Sequence, residues 1–235
     1  MKEYINELNE SFEGLSLSKC LEKLQTMHLK KIVFTSSFGQ EDQVLIDQIS
    51  RNKLPVRIVT LDTGRLFEET YKVMEATILK YNIKIEAFFP NSTDVKILFQ
   101  EKGPLSFYKS VEDRKECCTI RKIKPLQRAL KGADLWITGL RSSQSTARQN
   151  LKLFQFDDAF GLIKMNPLVD WSLESVQDYL KENQVPQNEL HAKGFVSIGC
   201  APCTRPSIDQ KDIRAGRWWW ESSKKECGLH LNKNT

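Results

Sequence analysis

The chain has 235 residues, 40% apolar and 28% charged, and Lys plus Arg exceed Asp plus Glu by 35 to 30 for a net charge of +5. This is an ordinary globular balance without repeats, single-residue tracts or Pro-rich linkers, so disordered and fibrous classes are excluded and one main domain is expected. Met1 to Gly14 is polar and acidic with no basic head, and no apolar run approaches the roughly 20 residues of a bilayer span, so the expectation is a soluble, cytoplasmic protein with no membrane partner.

Residues 1–30 read as an N-terminal helical segment, in which Cys20 and His28 have no partner motif and are assigned structural roles. Residues 31–185 alternate strand and helix signals. Ile32–Ser36, Val56–Leu61, Ile83–Phe89 and Leu135–Thr138 are short β-branched or aromatic runs with polar or turn-forming ends, as buried strands are. Between the second and third, Phe67–Tyr81 has a helical period, with Tyr71, Met74, Ile78 and Tyr81 on one face. Pro125 predicts a kink or boundary in a helical stretch, and Ser172 predicts the cap of a helix that turns Leu173, Val176, Tyr179 and Leu180 to the core. The alternation predicts an α/β fold with a doubly wound, mostly parallel sheet, whose ligands sit at the carboxyl ends of the strands. After Pro186 the periodicity fades. Residues 186–235, rich in Gly, Pro, Cys, Trp and basic groups, read as a functional tail of the same domain.

Three loops follow predicted strands. Ser36-Ser37-Phe38-Gly39-Gln40-Glu41-Asp42 leads into a helix whose apolar face is Val44, Leu45 and Ile49, and free N–H groups at such a helix start favour phosphate or sulfate. No Gly-Lys-Ser/Thr follows, so it is not a Walker loop, and a plain strand-to-helix turn explains it equally well. In Leu61-Asp62-Thr63-Gly64-Arg65, Asp62 and Thr63 suit ribose or base contacts, or simple capping. In Gly139 to Arg148, Arg141 and Arg148 suit a bidentate grip on an oxyanion. A basic stretch, Arg114 to Lys131, includes Arg121 and Lys122 against the single acid Glu116 and points to an anionic partner. Arg214 and Arg217 flank Gly216 just before Trp218-Trp219-Trp220, which is expected to pack the tail onto the domain.

Six cysteines in a chain without an export signal suggest metal or thiol chemistry rather than a disulfide framework. Cys117, Cys118, Cys200 and Cys203 form two close pairs. Adjacent ligands disfavour an ordinary zinc knuckle and suit an iron-sulfur cluster, while zinc and unliganded or disulfide-bonded thiols remain open on spacing alone. Lys122 lies four residues beyond Cys118, hence on its face of a helix. Cys227, beside Lys224, Lys225 and His230, is placed to be partly thiolate and nucleophilic, while an inert cysteine near the terminus and a surface histidine explain the same residues.

The combination resembles the assimilatory adenosine 5′-phosphosulfate (APS) reductases, the iron-sulfur branch of the sulfonucleotide reductases, from Ile32 to His230. The resemblance is carried by the three loops above, by Cys117-Cys118-x-Ile120-Arg121-Lys122, and most specifically by Cys200-x-x-Cys203-Thr204-Arg205-Pro206, Gly216-Arg217-Trp218-Trp219-Trp220 and Lys225-Glu226-Cys227-Gly228-Leu229-His230. It implies an adenine-nucleotide α-hydrolase-like fold with a C-terminal catalytic tail, and one 4Fe-4S cluster on Cys117, Cys118, Cys200 and Cys203. It implies that Ser36, Ser37, Gly39, Gln40, Glu41, Asp42, Asp62, Thr63, Gly64, Arg65, Gly139, Arg141 and Arg148 hold the nucleotide. Arg214 and Arg217 would approach its phosphosulfate, His230 would also bind substrate, and Lys122 would link substrate and cluster. Phe38 departs from the small hydroxyl residue or Leu expected of relatives, which removes a side-chain contact there but leaves the backbone N–H groups. In the implied reaction Cys227 attacks the sulfur of APS, AMP leaves, and thioredoxin or a glutaredoxin-like reductant releases sulfite. A reductase for the 3′-phosphorylated nucleotide PAPS, or one acting on both, is the nearest alternative. An ATP pyrophosphatase would share the first loop without needing Cys227, and an iron-sulfur or zinc sensor binding nucleic acid would leave the nucleotide loops unused, so no nucleic-acid partner is expected. A homo-oligomer is compatible with all of this.

Overall fold

The computed structural model describes residues 1–144, 148–207 and 213–221. Its centre is a six-stranded sheet in the order β3-β2-β1-β4-β6-β5, with β1 Ile32–Ser36, β2 Val56–Leu61, β3 Glu86–Phe88, β4 Leu135–Ile137, β5 Phe154–Asp157 and β6 Leu162–Met165. All neighbours pair in parallel except β5, which lies antiparallel to β6 at one edge. The register runs Ile32 to Val56 and Ser36 to Thr60 on one side of β1, and Ile32 to Leu135 on the other.

Why these runs read as uninterrupted apolar strands follows from the two faces of the sheet. Ile32 and Phe34 face a core shared with helices α1 (Lys2–Ser11), α2 (Leu17–Lys23), α3 (Gln40–Arg51) and α8 (Leu173–Glu182). Val33, Val59 and Trp136 face a second core with Leu126, Ala129 and Leu130 of α7 (Lys124–Leu130). A sheet covered on both faces needs apolar residues at successive positions, so alternation disappears. Ser172 caps α8 as expected, accepting from the Ser175 N–H at 2.9 Å, and Val176 and Leu180 are buried.

Three features differ from the sequence reading. The third strand is only Glu86–Phe88, shorter than Ile83–Phe89, and β4 stops one residue before Thr138. The β5–β6 hairpin was not foreseen; on its outer edge the Asn9 side chain pairs with both backbone groups of Phe154 at 3.0 Å, a contact 145 residues apart. Third, α4 (Glu68–Tyr81) buries Thr70, Val73 and Thr77, whereas Tyr71 is 42% exposed. Met74 and Tyr81 still pack on the core, and the buried stripe beside them is partly polar: Thr77 Oγ1 donates to the Val73 carbonyl at 2.6 Å and accepts from Gln43 at 2.8 Å. A hydrophobic period does not register a buried polar stripe.

Strand order reverses between β1, which is followed outward by β2 and β3, and β4, which is followed by β6. Their carboxyl ends diverge there and leave a crevice. Beyond the sheet, α5 (Ser92–Lys102) and α6 (Val111–Cys118) run into a π-helical turn, Thr119–Ile123, before α7. Pro125 falls at the start of α7, the predicted boundary. Together with the tail these elements form a third apolar cluster, containing Leu98, Phe107, Ile120 and Trp218. Among the described residues, no helix is long and apolar enough to cross a membrane.

Candidate active site

The crevice between β1 and β4 opens into a cavity of about 710 Å³. Its lining includes Ser36, Ser37, Gly39, Gln40, Glu41 and Asp42 after β1, Thr63 after β2, Lys122 from the π turn, Gly139, Arg141 and Arg148 after β4, and Arg214 and Arg217 from the tail. Residues from five separate stretches of sequence thus line one cavity. Asp62, Gly64 and Arg65 do not line it. Asp62 instead accepts the Gly64 N–H at 2.8 Å and the Tyr71 hydroxyl at 3.0 Å, a local cap. Arg65 turns away, its guanidinium 4.7 Å from the Phe107 ring and bonded to the Pro104 carbonyl. Cys227 and His230 lie outside the described residues.

The first loop is held by its own side chains. Asp42 accepts from the Ser37 N–H at 2.6 Å and the Ser37 hydroxyl at 2.8 Å, and Ser36 Oγ accepts the Phe38 N–H at 3.0 Å. Phe38 has φ of +59° and is 1% exposed, so its ring anchors the loop in the core while the backbone takes a left-handed turn uncommon for a bulky residue. The expected backbone N–H contacts are therefore narrowed: those of Ser37 and Phe38 are already engaged, and the carboxylate of Asp42 occupies the place an anion would take. Burial pushes the Asp42 carboxyl up to about 6 against the opposing Ser37 hydrogen bonds. Gly139 is required beside it, because a Cβ there would overlap Asp42 Oδ1.

Arg141 is likewise engaged. Its Nε donates to Glu41 Oε1 at 2.8 Å and its Nη1 to Ser143 Oγ at 2.6 Å, and it is 2% exposed. Gln144 donates to the same Glu41 oxygen at 2.9 Å and accepts from Arg148. Arg141, read from the sequence as an oxyanion grip, lines the cavity and bridges the two loops.

The opposite wall carries the cations nearest the cysteines. Cys117, Cys118, Cys200 and Cys203 are each 8% exposed, and three of them, Cys117, Cys200 and Cys203, belong to the third apolar cluster; beside it the Thr63 hydroxyl accepts from Cys200 Sγ at 3.3 Å and its carbonyl from Arg121 at 2.5 Å. Burial pushes the Cys200 thiol up, but Lys122 foremost, then Thr63, Arg217 and Arg121, bring it below the ordinary value. Burial, with Cys200 and Cys118 close by, pushes Cys203 up to about 12. Trp218 is almost fully buried, with the guanidinium groups of Arg114 and Arg217 each 4.6 Å from its ring. Tyr108, Trp219 and Trp220 form an aromatic group beside it, so the three tryptophans pack the tail as expected.

Which group these cysteines could hold is constrained by their surroundings. Among the described residues no three His, Cys, Asp or Glu side chains converge as a site for one ion. Among the described residues, Arg121 Nε, Arg217 Nε, Trp218 Nε1 and Trp220 Nε1 are buried donors without an acceptor. Four buried thiols, with Lys122, Arg217 and Arg121 near Cys200 and donors left without an acceptor, have the chemistry to hold an anionic iron-sulfur cluster.

Sequence reasoning missed part of the wall. His191, whose Nδ1 bonds the Phe195 carbonyl at 2.8 Å, and the segment Gly194 to Gly199 also line the cavity. Only the glycines offered a signal: a Cβ on Gly199 would overlap the Arg217 guanidinium.

Similar proteins are found by sequence and by structure. The chain is 45% identical over 225 residues, 95% of its length and 89% of the relative's, to the adenosine 5′-phosphosulfate reductase of Sinorhizobium fredii. It is 48% identical over 203 residues, 86% and 79% of the two chains, to that of Allochromatium vinosum. The crystal structure of phosphoadenylyl-sulfate (PAPS) reductase from Candida auris, a phosphate complex, superposes with a TM-score of 0.74 at 29% identity, covering 86% of this chain and 96% of that one. Candida glabrata FMN adenylyltransferase, at 18% identity and a TM-score of 0.54, shares the fold alone. Residues 31–206 match the phosphoadenosine phosphosulfate reductase domain, and the chain belongs to that family.

Proposed function

We propose that this protein reduces adenosine 5′-phosphosulfate to sulfite and AMP in sulfate assimilation. The observation that carries the reading is the cationic wall of Lys122, Arg214 and Arg217, set between a nucleotide-sized cavity and four buried cysteines. Relatives at 45% and 48% identity bear the name of this activity. The adenosine would lie along the β1 and β4 loops, shaped by Ser36, Gly39 and Gly139, with the phosphosulfate directed to Lys122, Arg214 and Arg217.

Cys227 is the nucleophile in this reading. Its thiolate attacks the sulfate sulfur, the bond from that sulfur to the phosphate oxygen breaks, and AMP departs with the electron pair. Fixed positive charge stabilises the leaving phosphate without reorganisation. A thiolate of a dithiol reductant such as thioredoxin then attacks Cys227 Sγ and expels sulfite, and its second thiol resolves the mixed disulfide, so two electrons pass from dithiol to substrate. Cys117, Cys118, Cys200 and Cys203 would hold a 4Fe-4S cluster, which when bound contributes electrostatic and structural support and not electrons.

Anaerobically purified protein incubated with APS and no reductant is expected to release one equivalent of AMP and gain one sulfonate on the peptide containing Cys227. Sulfite release without that adduct would refute the mechanism. PAPS belongs in the same assay, because the Candida auris relative is named for it.

A further inference from the structure

Arg114 stands on α6, three residues ahead of Cys117, and reaches across 107 residues of sequence to Glu221. Its Nε donates to Glu221 Oε1 at 2.8 Å and its Nη2 to Oε2 at 2.9 Å, with side chains only 1% and 3% exposed. This is a forked pair, which fixes orientation as well as distance. The same guanidinium lies 4.6 Å from the Trp218 ring, and the Glu221 N–H donates to the Trp218 carbonyl at 2.9 Å. Trp218 in turn donates its backbone N–H to the Cys203 carbonyl at 3.2 Å. Neither Arg114 nor Glu221 lines the nucleotide cavity. Arg114 also hydrogen-bonds the Cys118 side chain, so the pairing ties the tail to the cysteine pairs at one point.

That point is six residues before Cys227. Covalent geometry confines Cys227 to within about 20 Å of Glu221, so the place and direction in which Glu221 is held set how often the thiol meets the cavity. We infer that Arg114 and Glu221 are a positioning pair that fixes the root of the tail and so gives the Cys227 thiol its effective concentration at the bound nucleotide; this rests on the assignment of Cys227 as nucleophile. A wrongly aimed root lowers the rate of attack without weakening the nucleotide, since productive orientation and binding are separable.

The test is single-turnover adduct formation by the cluster-loaded protein with APS and no reductant, alongside AMP affinity and iron content. Glu221→Gln keeps the shape and removes the charge. Because it leaves a buried guanidinium without its carboxylate, the double variant Arg114→Met/Glu221→Leu is made in parallel, as two apolar residues can replace a buried ion pair without loss of folding. Both are expected to slow adduct formation tenfold or more with AMP affinity within twofold, with iron unchanged in Glu221→Gln, which leaves Arg114 bonded to Cys118, and Arg114→Lys, which keeps charge but not the fork, should fall between them and the parent. An unchanged adduct rate in either folded variant overturns the inference. So does a loss of iron or of AMP affinity in step with the rate, which would assign the pair to the cysteine centre. An adduct on another cysteine in Cys227→Ser would instead overturn the nucleophile assignment on which the inference stands.

Discussion

Replacing Arg141 by Met separates a brace from a ligand. In the structure the guanidinium is bonded to Glu41, Ser143 and the Trp171 carbonyl. Removing one partner of a fully buried ion pair costs about 3–5 kcal/mol, because the other charge is left without compensation. Glu41 is 17% exposed and keeps the Gln144 donor at 2.9 Å, so about 2 kcal/mol is the expected loss here. For a chain of this length each kcal/mol lowers the melting temperature by roughly 2–4 °C, which gives a drop of about 4–8 °C. Adding Glu41→Gln should restore about half of it, since no buried charge is then unpaired. The assay is a thermal melt of the single and double variants, with AMP affinity measured below the transition. A melting temperature within about 1 °C of the parent, together with a tenfold or greater loss of AMP affinity, would refute the brace and return Arg141 to the substrate.

Lys122→Ala should lower the rate of adduct formation by about 10²-fold while leaving the melting temperature close to the parent, because a charge lining the cavity is lost without a cavity in the core; full activity with the cysteine centre intact would contradict this. Cys227→Ser should bind AMP normally and form no sulfonate adduct, as mass spectrometry of the tail peptide would read directly. Gly139→Ala forces a Cβ onto Asp42 Oδ1 and is expected to destabilise the fold by about 1–3 kcal/mol in denaturant titrations. Asp42 binds its proton more tightly in the folded chain, about 6 against 3.8, so its ionisation opposes folding and this group's contribution falls as pH rises across that window; relative to Asp42→Asn, the parent should lose up to about 3 kcal/mol between pH 4 and 7, and a pH-independent difference would show that the carboxyl titrates normally.

Much of the site is legible because its residues are chemically distinctive and lie where strands end. Ser36 to Asp42, Thr63 and Gly139 to Arg148 could be placed at the carboxyl edge from strand patterns alone, since a parallel sheet brings those ends together whatever the loops do. On α4 the periodic residues Met74 and Tyr81 pack on the core, but Thr70, Val73 and Thr77 are buried deeper, the threonines through hydrogen bonds that a hydrophobic period does not register, and the β5–β6 hairpin has its edge satisfied by Asn9, a residue remote in sequence. His191 was passed over because a single histidine carries no spacing.

The sequence by itself determined the fold class, the pairing of cysteines into two sets, and the set of cations available to an anion, since these depend on residue type, period and local spacing. Only the tertiary structure decided which of those groups are free to act. Asp42 fills the first loop, Arg141 is matched to Glu41, Arg65 turns to Phe107, and Arg114 is committed to Glu221 across 107 residues. The reason is physical: a charge in a low-dielectric interior takes the nearest compatible partner in space, and spatial neighbours from distant segments exist only once the sheet has closed around them.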